Sequence, residues 1–175
     1  MLFSKINNII SYFGLRVRKI PTKNQIASVW RMMEPINHFY HLELIGPRRD
    51  SGYVVLSQKE LPDLVISPGV GNSCEFELHF ADLGVPCILI DGTIENLPKE
   101  HKNFYFIKRN LGSTIQEDTC TLSEIANSYE YSDAFLQIDI EGEEYEIFQT
   151  LPKEELSRFA QIIIEIHGLS RILDL

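Results

Sequence analysis

Residues 61–92, LPDLVISPGVGNSCEFELHFADLGVPCILIDG, constrain the fold more than any other stretch. A short apolar run, Leu64-Val65-Ile66, is ended by Ser67-Pro68-Gly69. A glycine-rich turn, Gly69-Val70-Gly71-Asn72-Ser73, leads into a segment of helical period carrying Phe76, Leu78, Phe80 and Leu83. Gly84 can end that helix, and a second apolar run, Cys87 to Ile90, stops on Asp91 and Gly92. The spacing predicts a strand, tight turn, helix and strand, with an acid at the tip of the second strand.

Each part suits a nucleotide-like ligand. Gly69 and Gly71 let the backbone approach a group that a side chain would push away. The helix behind them offers unpaired N–H groups and the positive end of a dipole. Asn72 or Ser73 can cap it, with Glu75 placed for a capping box. Asp91 follows Gly71 by ~20 residues, the separation at which an acid can accept ribose hydroxyls. Gly69-x-Gly71-x-x-Cys74 lacks the third glycine or alanine of the dinucleotide fingerprint. Taken alone, the turn is equally an ordinary strand-to-helix connection.

At 175 residues with 44% hydrophobic side chains the chain can bury one sizeable core. A net charge of −9 argues against nucleic acid as a partner, because phosphate binding draws on excess Lys and Arg. Cys74, Cys87 and Cys120 are scattered without metal-ligand spacing, which fits reduced thiols and a cytoplasmic setting. No apolar run is long enough to cross a membrane.

Residues 1–40 form an N-terminal helical extension in this reading, and residues 41–175 the main domain. The extension has no acid before Glu34. Phe3, Ile6, Ile9, Ile10 and Phe13 recur at helical spacing, followed by Arg16, Arg18 and Lys19. Such a basic amphipathic helix fits packing on the domain or a partner, and also contact with a membrane surface. A second helix is expected from Ile26 to Phe39, burying Ile26, Val29, Trp30 and Met33 and bent or ended by Pro35. His41–Ile45 and Tyr53–Leu56 flank a turn-rich loop carrying Arg48, Arg49 and Asp50, and read as a hairpin.

Beyond Asp91, strands are expected at Phe104–Ile107, Ala134–Ile140 and Gln161–His167. Helices should start at Thr121-Leu-Ser-Glu, run from Glu143 to Leu151, and resume at Glu154–Phe159 after Pro152. Strands alternating with helices imply a parallel sheet covered on both faces, with ligands beyond the strands' carboxyl ends. Asp139 and Glu141 would share one face of the fourth strand while it persists, as would Glu165 and His167 at the end of the fifth. A carboxylate on an apolar central strand is costly to bury unpaired, so Asp139 belongs at the rim, meeting a ligand or donor. If the two strands are neighbours, the four residues converge, and His167 can serve as a general base. Glu143, Glu144 and Glu146 read instead as first-turn acids that complement a helix dipole. The four rim residues could hold a hard divalent cation, but nothing in their spacing demands one, and no metal ligand is assigned.

With these pieces placed, the chain resembles the FkbM-type group of S-adenosylmethionine-dependent methyltransferases. Gly46-Pro-Arg-Arg-Asp-Ser-Gly-Tyr53 is similar to the group's loop ahead of the first strand, and Val65–Asn72 to its glycine motif. Leu136-Gln-Ile-Asp-Ile-Glu-Gly-Glu143 resembles its Leu-Lys-Ile-Asp-Ile-Glu-Gly signature, and Ile163–His167 its closing Glu-x-His strand. The resemblance implies a doubly wound, Rossmann-like α/β fold. It also implies S-adenosylmethionine as cofactor, cradled by Ser67, Gly69, Gly71 and Asn72, with Asp91 and Gly92 at the ribose. Asp139, Glu141, Glu165 and His167 would line the transfer site for a hydroxyl of a sugar or small metabolite. Three departures stand out: Ser67 replaces the acid opening many such glycine motifs, Ser51 a loop glycine, and Gln137 the signature lysine. The group normally adds a helix and an antiparallel strand pair after the fifth strand, and the sequence stops at Leu175. The reading here is a shortened protein, a fragment, or an apolar strand edge expected to be covered by a partner, such as a second copy, or by the N-terminal helix. A non-catalytic binding module and a nicotinamide-dependent oxidoreductase are the alternative readings; Cys74 at the third fingerprint position speaks against the latter.

Overall fold

The computed structural model describes residues 22–32, 34, 41–48 and 51–168. The expectations for Phe3–Lys19, Met33, Pro35, Arg49 and Asp50 lie outside the described residues, as do those for the side chains of Val29 and Trp30. The described chain falls into two compact units, one holding helix α1 (Lys23–Met32) and the other everything from His41 to Gly168. Ile26 on α1 is 39% exposed, so the burial expected for it is not seen. Among the described residues no helix is long and apolar enough to cross a membrane.

The second unit opens with the expected hairpin, β1 (Leu42–Ile45) antiparallel to β2 (Tyr53–Leu56). The remaining principal strands are β3 (Leu64–Pro68), β4 (Cys87–Ile90), β5 (Phe104–Ile107), β8 (Ala134–Ile138) and β9 (Phe159–Ile164). They form one parallel sheet in the order β5-β4-β3-β8-β9. The chain winds outward from β3 to β5 and then returns to lay β8 on the other side of β3. The strand order therefore reverses between β3 and β8, where open α/β sheets bind their ligands. Two short strands, β6 (Asn110–Leu111) and β7 (Thr119–Cys120), pair in parallel beside the sheet. At two residues each they are too short to leave a periodic signal in sequence.

Alternation along the strands builds a core on each face. Leu64, Ile66, Ile88, Ile90, Leu136 and Ile138 pack with Leu122, Ile125 and Ala126 of α3 (Leu122–Ser128) and Ile147 of α4 (Glu144–Thr150). Val65, Cys87, Leu89 and Phe135 point the other way, against Phe76, Phe80 and Ala81 of α2 (Glu75–Asp82) and Ile45 and Val55 of the hairpin. The sheet thus has helices on both faces, the doubly wound, Rossmann-like α/β class expected. All three cysteines are free and buried in these layers.

Local signals decide the element ends. Thr121 caps α3 by accepting the Glu124 N–H at 3.1 Å, as its position ahead of an apolar run suggested. The capping box expected ahead of α2 does not form. Cys74 holds the cap position without a side-chain hydrogen bond, and Asn72 and Ser73 lie in the preceding turn. The helix expected to resume after Pro152 is one turn, α5 (Lys153–Leu156), and Phe159 opens β9 instead. At this edge the Gln161 side chain stands in for a peptide group. Its amide donates to Leu56 O at 2.6 Å and accepts from Leu56 N at 2.8 Å, tying β2 to β9.

Candidate functional site

The carboxyl ends of β3, β4, β8 and β9 open into one cleft of about 750 Å³. Gly69, Gly71, Asn72, Asp91, Asp139, Glu141 and Glu165 line it together, joined by Tyr53, Glu77, Thr93 and Gln137. Asp91 and Asp139, which sequence places on separate strands, therefore face the same space. Two residues expected at the cofactor end do not line it. Ser67 is fully buried beneath it, and Gly92 turns toward Asn110, whose amide lies 2.5 Å from where a Cβ would sit.

The two turn glycines have different duties. At Gly69 φ is +89°, and a Cβ would fall 1.6 Å from the Asp139 carbonyl oxygen. The bare backbone lets the tips of β3 and β8 touch, and Asp139 N donates to Pro68 O at 3.1 Å across that junction. At Gly71 φ is +55° and a Cβ would meet nothing within 4 Å. Only at Gly71 is room left for something other than protein.

Asp91 latches the loops above β3 and β4. Its Oδ2 accepts Gly71 N at 2.8 Å, and its Oδ1 accepts Thr93 N at 2.7 Å and Thr93 Oγ1 at 2.6 Å. Burial pushes this carboxyl up, but the bonds from Thr93, Gly71 and Ile94 outweigh that and hold it below its ordinary value. The acid is ionised and already carries donors of its own loops.

Below the glycine turn lies a buried polar relay that sequence did not reveal. Ser67 Oγ is within hydrogen-bond reach of both Glu77 Oε1 and Gln137 Oε1, the latter at 2.6 Å. One hydroxyl proton serves one of these contacts, and a protonated Glu77 supplies the other. Burial raises the Glu77 carboxyl, in agreement with that proton count. Gln137 Nε2 is buried without a partner at the cleft. Glu77 escaped notice because an acid in the first turn of a helix ordinarily faces water and complements the dipole.

At the opposite end, β8 stops at Ile138, two residues earlier than expected. The backbone turns through Glu141 at φ +59° and Gly142 at φ +118°, so the two carboxylates do not share a strand face. They nevertheless meet at His167, with Glu165 joining from beyond β9: Nε2 stands 3.7 Å from Asp139 Oδ1, 3.6 Å from Glu141 Oε2 and 3.7 Å from Glu165 Oε1. The convergence expected of the four rim residues is present in the geometry. Nδ1 lies 2.8 Å from Glu144 Oε1, and that hydrogen bond, above all, raises the imidazole above its ordinary value. A raised value keeps the ring protonated further up the pH scale, which lowers its supply of free base near neutrality.

Glu144 stands in the first turn of α4 as expected, but it also reaches His167 from there: it is 2% exposed and its Oε1 also accepts Gly142 N at 3.1 Å. Tyr53 was missed as well. Its hydroxyl donates to Asp139 Oδ2 at 3.2 Å, and burial, then the Asp139 charge, push the phenol well above its usual range. The one sequence signal for Tyr53 was its place at the end of the hairpin loop. Among the described residues no lysine or arginine lines the cleft.

Neither the curated proteins nor the solved structures gave a match. The family model described as the methyltransferase FkbM domain matches residues 29–172, most of the chain and every element that builds the cleft. On that match this chain belongs to the FkbM methyltransferase domain family.

Proposed function

We propose that the chain transfers a methyl group from S-adenosylmethionine to a hydroxyl oxygen of a carbohydrate or small metabolite. The observation that supports this most is the opening of the glycine turn and the acidic rim into one cleft at the strand-order reversal. Its volume suits a ligand of cofactor size with room for an acceptor.

The residues present fit such a cofactor. Gly71 leaves open space at the turn, Asp91 offers a carboxylate beside it, and the buried Gln137 Nε2 is a donor awaiting an acceptor. A methionyl carboxylate and ribose hydroxyls are complementary to these groups, and a sulfonium is complementary to the acids around it. When bound, the cofactor supplies an electrophilic methyl on sulfur. The chain's part is to align the acceptor oxygen and take its proton, a task for the rim of Asp139, Glu141, Glu165 and His167. Tyr53 fixes Asp139 by donating to one of its oxygens, leaving the other directed at the rim.

Isothermal titration with S-adenosylmethionine tests the reading. Saturable binding to the full chain, with most of the affinity lost in Asp91→Ala, is expected. No heat at millimolar ligand would overturn it.

A further inference from the structure

The relay beneath the glycine turn needs one proton more than its serine can supply. Ser67 and Gln137 follow the paired residues Ile66 and Leu136 on β3 and β8, so they stand side by side on the face covered by α2, which carries Glu77. Ser67 Oγ lies 2.6 Å from Gln137 Oε1 and within hydrogen-bond reach of Glu77 Oε1. A hydroxyl has one hydrogen to donate. With the Gln137 carbonyl at the serine, Ser67 donates to it, and Glu77 must donate to Ser67. An ionised Glu77 would claim the serine hydrogen for itself. The amide could then bond Ser67 only through Nε2, with its carbonyl turned away. The proton on Glu77 and the direction of the Gln137 amide are thereby linked.

Two observations outside this proton count favour the first arrangement. Gln137 is 1% exposed, and its Nε2 is left at the cleft without a partner. An unpaired buried donor is costly, and an acceptor atom arriving in the cleft removes that cost. The surroundings of Glu77 also offer no compensation for a negative charge. The titratable groups that feel it are Tyr53 of the hairpin, Cys74 ahead of α2 and Cys87 of β4, and burial holds all three neutral. Among the described residues no lysine or arginine lines the cleft. Burial accordingly holds the Glu77 carboxyl above its ordinary value.

We infer that Glu77 is a positioning residue: acting through Ser67, its neutral carboxyl turns the Gln137 amide so that Nε2 meets the carboxylate of the bound cofactor. The inference rests on the proposed S-adenosylmethionine reading for the identity of that ligand. The device also discriminates, because an amide presenting N–H groups has nothing to offer an ammonium at this point. Loss of the Glu77 proton reverses the amide and sets a carbonyl against a carboxylate, two acceptors that repel. The contact is therefore complete below the folded value of Glu77 and is lost as pH rises through it.

Two measurements on the full chain test this. Without cofactor, infrared difference spectra between wild type and Glu77→Gln should show the carbonyl band of a neutral carboxylic acid at pH 6, disappearing at higher pH. Isothermal titration with S-adenosylmethionine is then run at pH values on either side of that disappearance. Wild-type affinity should fall across it, whereas Glu77→Gln, whose amide can donate to Ser67 at every pH, should lack that step. Asp91 and His167 titrate in both proteins, so the difference between the two profiles isolates Glu77. Gln137→Met removes the donor and should weaken binding roughly 10–100-fold at pH 6, the loss expected for a hydrogen bond to a charged group. Absence of the acid band, parallel profiles across its loss, or a Gln137→Met chain that binds as tightly as wild type would overturn the inference while leaving the cofactor reading in place. An acid band in a chain that binds no S-adenosylmethionine at any pH would overturn the cofactor reading and the contact that rests on it.

Discussion

Replacing each turn glycine by alanine should separate two roles that look identical in sequence. At Gly69 the new methyl would fall 1.6 Å from Asp139 O and 2.5 Å from Asp139 C, both backbone atoms that no rotamer change can move. The left-handed backbone at φ +89° adds strain of ~1–2 kcal/mol. Overpacking between two rigid strand tips adds ~1–3 kcal/mol. Gly69→Ala should therefore destabilise by about 2–5 kcal/mol. Gly71→Ala carries strain at φ +55° but no clash within 4 Å, so about 1 kcal/mol is expected. At roughly 3–5 °C per kcal/mol for a domain of this size, thermal unfolding should fall by about 6–25 °C in the first and about 3–5 °C in the second. Cofactor titration should show the reverse order per unit of stability lost, because only the Gly71 methyl projects into the cleft. Equal losses of stability, or a Gly69→Ala variant as stable as Gly71→Ala, would refute the assignment of Gly69 to the β3–β8 junction.

Two other outcomes follow from the buried polar groups. Glu77 is raised in the fold, so the native state binds its proton more tightly than the unfolded chain. Its contribution is present in full below the ordinary glutamate range and is lost as pH rises through the folded value. Glu77→Gln should flatten the fall of the urea midpoint between pH 5 and 9, and parallel profiles for the two proteins would contradict this. Gln161→Leu removes both bonds to Leu56 and leaves a peptide group without partners at the hairpin. A cost of ~1–3 kcal/mol is expected by chemical denaturation, and a neutral effect would show that water replaces the amide.

The sheet was legible because apolar runs of four to six residues, split by glycine, proline and capping residues, survive as signals without any tertiary knowledge. Thr121 and the glycine turn are cases in point. The site was legible only where strand ends mark it: Asp91, Asp139, Glu165 and His167 come from that rule. What sequence could not show depends on contacts made at a distance. Glu144 looks like any first-turn acid until His167, 23 residues away, docks on it. Glu77 looks the same until β3 brings Ser67 beneath it. Tyr53 gains meaning only when the hairpin, 86 residues from Asp139, folds across the cleft. Glu141 misled in the other direction, because the pleat argument presumed a strand that its positive φ ends.

The relay of Glu77, Ser67 and Gln137 has an electrostatic corollary. With Glu77 holding its proton, the floor beneath the glycine turn is neutral, while the ionised acids crowd the mouth. The floor thus adds no charge to that of Asp91 beside the turn and of the acids at the far end, and low-dielectric walls strengthen whatever charge is present. An anionic group that reaches the Gln137 amide therefore meets a neutral floor with a donor in it, where an ionised Glu77 would have repelled it.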